Sequence, residues 1–161
     1  MEHCIEKLKD LCIEYPECPE LLWRMGKAHY NIATSSNDAN IKLKYLDKGT
    51  HPCFTLDCCF YPRCLKILNT FKFILATITL LNVGIEACES AMSSDPDSAN
   101  CHKWYAILIG SKSELLPLKE KIVSGYVFKE HVDQAIRLNP SDSDLRHLLG
   151  RFSYEIASLK W

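Results

Sequence analysis

Three stretches of the chain run into a proline with the same spacing of apolar residues before it: LKDLCIEYP, CESAMSSDP and VDQAIRLNP. With Pro16, Pro96 and Pro140 aligned, Leu11, Ala91 and Ala135 stand five positions earlier. Leu8, Cys88 and Val132 stand eight earlier, and Cys4, Gly84 and Phe128 twelve earlier. Steps of three and four keep such residues on one helical face, and proline does not continue a helix. Each stretch therefore predicts a helix that closes at its proline.

A second helix is expected after each proline. Ten residues on stand Gly26, Ala106 and Gly150, preceded by Met25, Tyr105 and Leu149. Small residues at one phase predict a close approach by a neighbouring helix. Pro19 suits a first helical turn, and Ser141 with Asp144 reads as a capping box with Asp in the Glu position. The unit is helix, proline turn, helix. Three in-phase copies predict an all-α, helical-repeat solenoid of antiparallel helix pairs. The pattern is similar to the tetratricopeptide repeat, with Leu22, His102 and Arg146 where that repeat usually carries an early Trp.

The spacing is uneven. Pro96 to Pro140 is 44 residues and Pro16 to Pro96 is 80; leaving out the 35 residues Thr50–Gly84 brings the second interval to 45. That segment holds only four charged residues (Asp57, Arg63, Lys66, Lys72), no Glu, Gln, Ser or Met, and four of the nine cysteines. A zinc site would use His51, Cys53, Cys58, Cys59 and Cys64, but the spacing lacks paired Cys-x2-Cys knuckles. A membrane or interfacial helix would use residues 67–85. Lys72 interrupts it, and the run Phe73–Leu81 is nine residues where a span needs about 20. The third reading is an extraneous insertion, because the flanks rejoin in register as IKLKYLDKG-IEACESAMSSDP. The expectation taken forward is a single domain, 1–161, with an atypical insertion at 50–84 that leaves the packed stack as a loop or loosely placed helix. The chain also stops after the first helix of a unit, so a truncation at 161 is expected. An apolar stripe of Phe152, Ile156 and Leu159 would then favour self-association.

Composition narrows the function. At 161 residues the chain is long enough for one domain with a sizeable core. Its formal net charge is −1, and the 126 residues outside Thr50–Gly84 sum to −3, since that segment carries three positive charges and one negative. Neither value suits bulk nucleic-acid binding. The first residues carry acids and no apolar h-region, so the nine cysteines read as reduced cytosolic thiols. GSKS at 110–113 lacks the order of a phosphate loop. There is no Gly-x-Ser-x-Gly elbow and no His-Glu-x-x-His. His102 and His131 read as structural or surface residues. Trp104, Tyr105, Phe128, Phe152 and Tyr154 read as core, and LKEKIVSGYVFKEH as a solvated face. No catalytic residue, cofactor or metal is expected.

Longer words carry a family resemblance. NCHKWYAILIGSKSE, IVSGYVFKEHVDQAIRLNP and LRHLLGRFSYEIASLKW, with PELLWRMGKAHYNIA at 19–33, resemble the regulator of microtubule dynamics protein family over about residues 1–49 and 85–161. The resemblance implies a tetratricopeptide-like, non-enzymatic scaffold in the cytoplasm, associated with microtubules and the spindle and, in some members, with the mitochondrial surface. The competing expectation is an organelle-tethering adaptor at mitochondrial or ER membranes that uses the same groove. By repeat phase the candidate groove residues are Lys27, Asn31, Lys103, Ile107, His147 and Arg151. Lys and Arg there suit tubulin or an acidic partner peptide, including a C-terminal carboxylate; a plain solvated face is the other reading.

Overall fold

The computed structural model describes residues 2–35 and 62–158. Every regular element in them is a helix: α1 Glu2–Glu14, α2 Pro19–Ser35, α3 Pro62–Ser94, α4 Ala99–Ser113, α5 Leu118–Leu138 and α6 Ser143–Ser158. The three proline stretches close helices as expected. The backbone N–H of Tyr15, Asp95 and Asn139 donates to the carbonyls of Leu11, Ala91 and Ala135, and a proline follows each donor. Pro19 opens α2, where its missing N–H leaves no helical bond unmade. At the start of α6 the cap sits one residue later than the capping box predicts. Asp142 Oδ1 accepts from the Asp144 N–H at 2.9 Å, while Ser141 Oγ donates to Asn139 Oδ1. Asp142 is thus the N-cap residue.

The most extensive packing lies between α2 and α3 and between α4 and α5. The proline turns therefore join successive pairs instead of sitting within them. Further contacts of α3 with α4, and of α2 with α4, stack one pair on the next, with α1 against α2 and α6 against α5 at the two ends.

The core contradicts the expectation for the end of the charge-poor segment, residues 73–84; residues 50–61 lie outside the described residues. α3 is one continuous helix through the presumed junction at Gly84. Ala76, Leu80, Leu81, Ile85, Cys88 and Ala91 are all buried along it. Leu80, Leu81, Ile85 and Cys88 join Ile32 and Ala33 of α2 and Leu108 of α4 in one cluster, flanked by Trp23, Tyr30, Trp104 and Tyr105. Residues 73–84 are therefore part of the packed stack. The physical reason is α3's position between two neighbours. A helix covered on more than one side needs apolar residues on more than one stripe, and burying each Leu contributes about 1.5–3 kcal/mol. By length and composition Phe73–Ser94 would also cross a membrane, a test that the core helix of a globular protein passes equally. Its buried Thr77 directs its hydroxyl back to the Phe73 carbonyl at 2.8 Å, so no polar atom is stranded there.

Two of the small residues sit at this junction. A Cβ on Gly26 would lie 2.6 Å from Cys88 Sγ and 3.0 Å from the Gly84 carbonyl oxygen; one on Gly84 would lie 3.0 Å from Leu108. Helices α2 and α3 thus touch backbone to backbone, with Leu108 of α4 wedged against both. Ala106 is fully buried. Gly150 departs from the pattern: a Cβ there would meet nothing within 4 Å. The close contact expected at Gly150 is absent, because the partners of Gly26 come from later helices and none follows α6 among the described residues.

Candidate functional site

Helices α2, α4 and α6 carry the six residues expected from repeat phase, and their environments differ. Lys27, on α2, is exposed. Its ammonium stands 5.0 Å from the centre of the Trp104 ring on α4, within cation–π range. Tyr30, one turn along α2, packs tilted against the same indole, with ring centres 5.9 Å apart and planes inclined by 59°. Asn31 and Ile107 are half-buried. Lys27 has no carboxylate partner among the described residues. Trp104, read from sequence as core, is half-buried and forms the floor under Lys27.

Lys103 is engaged elsewhere. Its ammonium bonds Asp142 and Asp144, each at 2.8 Å, at the start of α6. Burial alone would lower the Lys103 pKa; the hydrogen bonds and charges of the two aspartates outweigh it, and the net shift is upward. Asp142 shifts the other way, held below the usual carboxylate value chiefly by the bond from Lys103. Lys103 is therefore a strut between α4 and α6, with no charge left for a ligand. Arg151 is exposed and bridges Glu114 at 2.9 Å and Glu155 at 3.2 Å. His147 is exposed on α6. None of the six hydrogen-bonds to another. Of the six, Lys27 stands against the Trp104–Tyr30 pair, which repeat phase did not nominate; Lys103 and Arg151 serve their own carboxylates.

A second cluster escaped the sequence reading. His102 and His131 face each other between α4 and α5 with their Nδ1 atoms 2.8 Å apart. Tyr105 packs on His131 with ring centres 4.4 Å apart, and its hydroxyl donates to Glu89 of α3 at 3.2 Å. Burial first, then the Glu89 carboxylate, pushes the Tyr105 phenol up to about 12. Both histidines stand in the most specific words of the chain, HKW and FKEH, which was the available signal.

Cys88 is fully buried, and burial, with Cys101 and Glu89 nearby, pushes its thiol up to about 12. Such a thiol stays protonated and unreactive at neutral pH. Among the described residues no group of three or more His, Cys, Asp or Glu is placed to hold a metal ion. The candidate ligands His51, Cys53, Cys58 and Cys59, and the side chain of Cys64, lie outside the described residues.

With this geometry in place, comparison with known proteins is decisive for the family. The model of regulator of microtubule dynamics protein 1-3 matches residues 76–161. This chain belongs to the regulator of microtubule dynamics protein family. The match begins at Ala76, inside the segment whose far end was read as Gly84, and it takes in the second half of α3 that the core requires. The chain is similar to regulator of microtubule dynamics protein 3 of Xenopus laevis, at 30% identity over 91% of this chain and 24% of the relative. It is similar to regulator of microtubule dynamics protein 1 of Bos taurus, at 29% identity over 97% of this chain and 39% of the relative. Over 48% of the chain, identity to regulator of microtubule dynamics protein 3 of Mus musculus reaches 45%. The chain thus spans between about a quarter and two-fifths of the length of the first two relatives.

Proposed function

We propose that this chain is a tetratricopeptide-like, non-enzymatic interaction scaffold with a microtubule-related role. In this reading it holds an acidic segment of tubulin, or of a spindle component, across the α2–α4 face. The observation that carries the reading is Lys27: an exposed cation over Trp104, beside Tyr30, with no carboxylate of its own among the described residues. The microtubule part of the proposal rests on the relatives' names.

Charge sets the form the binding takes. The chain is slightly acidic overall, so long-range attraction to an acidic surface is not available and a local contact must supply it. Lys103 and Arg151 are already neutralised, so Lys27 and the flat face of Trp104 are left as the recognition elements. One exposed cation gives weak, salt-sensitive binding.

Co-sedimentation with polymerised tubulin at rising salt tests this. Binding at low salt is expected, falling as salt rises and lost in Lys27→Glu, while Arg151→Glu has a smaller effect. Binding unaltered in Lys27→Glu, or none at low salt, overturns the proposal.

A further inference from the structure

The His102–His131 contact has a proton requirement that its geometry dictates. His102 Nε2 lies 2.9 Å from the Pro96 carbonyl oxygen. A carbonyl only accepts, so Nε2 carries a hydrogen. In neutral His102 the other nitrogen, Nδ1, is then an acceptor. The Nδ1 of His131, 2.8 Å away, must therefore be the donor. When both rings are neutral, one arrangement of hydrogens satisfies the chain from α5 through His102 to the turn at Pro96.

The pair can take one more proton. His102 then donates from Nδ1, and His131 changes tautomer to accept. A second proton cannot be held in place: two N–H groups would point at each other across 2.8 Å, on stacked rings whose centres are 5.0 Å apart, each ring bearing a positive charge. We infer that His102 and His131 form a proton-gated latch tying the Pro96 turn and the first turn of α4 to α5, closed with at most one added proton and opened by the second.

The surroundings agree with this assignment. His131 is faced by Tyr105 and His102 from α4, by Glu130 on its own helix and by Glu89 from α3. Burial first, and then the His102 charge, lowers the His131 pKa, and Glu130 and Glu89 offset only part of this. The turn that holds His102 also carries Lys103, bound to Asp142 and Asp144, and Trp104, the floor under Lys27. Opening the latch would therefore reach both the strut to α6 and the Trp104 platform under Lys27 of α2. The latch itself does not depend on the binding reading.

The sign follows from proton counting. Below about pH 6.5 the unfolded chain protonates both imidazoles while the closed fold holds one proton. Stability is present at neutral pH and falls as pH drops, by up to about tenfold in the unfolding constant per pH unit for the excluded proton. The experiment is urea unfolding of the purified chain from pH 8 to pH 5, with imidazole NMR titration over the same range. The comparison variant is His131→Asn, whose amide can donate or accept at the Nδ1 position and does not titrate. We expect a steep loss of stability in the wild type, a flatter profile in His131→Asn, and coupled titration of the two imidazoles. Identical pH profiles in the two proteins overturn the latch. So does independent titration of both wild-type rings near the free-histidine value, a measurement that stands whether or not the variant folds.

Discussion

Gly26 and Gly150 occupy the same position in the repeat and have opposite surroundings. Gly26 is pressed between Cys88 and the Gly84 backbone, while Gly150 faces open space. The same contrast runs through the helix faces. In α3 and α5, the residues five and eight before the proline (Ala91, Cys88, Ala135, Val132) are fully buried. In α1 the equivalent Leu11 is 41% exposed, and Ile156 on α6 is 45% exposed. Repeat phase identifies which side chains point toward a neighbour. Whether a neighbour is there depends on the unit's place in the stack, as expected where each unit packs only on adjacent ones.

Four substitutions break or sharpen this contrast. The largest effect is expected at the centre of the stack, in the segment that composition marked as foreign. Leu80→Ala should cost about 2–5 kcal/mol, as for other fully buried leucines, read from urea unfolding. A loss below about 0.5 kcal/mol would return residues 73–84 to the margin of the fold. Next is Gly26→Val, expected to cost about 1–3 kcal/mol by overpacking, because neither the Gly84 carbonyl nor the enclosed Cys88 thiol can move away freely. Unchanged stability there would mean that α2 and α3 do not touch.

The third test is the strut between α4 and α6. Lys103→Met should cost about 1–2 kcal/mol, since it leaves the half-buried Asp142 without its charged donor. The pH signature separates this from a packing effect. Asp142 is depressed in the fold, so its contribution is full at neutral pH and fades as pH falls through the acidic carboxylate range. The wild type should lose more stability than Lys103→Met on acidification to about pH 3; parallel profiles would show that the strut carries nothing. The smallest effect has the opposite sign. Gly150→Ala should stabilise by about 0.5–1 kcal/mol, the ordinary gain for an exposed helix interior. A loss instead would reveal a close partner on that face of α6.

Much of the architecture was legible because it is local. The proline turns and the apolar faces of α3 and α5 follow from helical period and from proline chemistry. The site was legible only in part. Repeat phase nominated Lys27, Lys103 and Arg151 alike, and gave no sign that Lys27 stands over Trp104. The latter two are consumed by carboxylates, Lys103 by residues 39 and 41 positions further on and Arg151 in part by one 37 positions earlier. The misreading of the described end of the charge-poor segment, residues 73–84, has a related cause. Scarcity of charge is the signature of a foreign segment and also of a helix covered on two sides, and composition does not distinguish them.

By itself, then, the sequence determined that this protein is built of helices, where its proline turns fall, which positions are small, and which family its words belong to. All of these depend on residues within a few turns of one another. Only the tertiary structure decided that α3 runs unbroken through Gly84 into the core, that Gly26 is enclosed and Gly150 open, that Lys103 is paired with carboxylates while Lys27 has none among the described residues, and that His102 meets His131. Each of those depends on which distant side chain arrives opposite. That is set by the stacking of one helix pair on the next, where close packing and charge pairing are realised together.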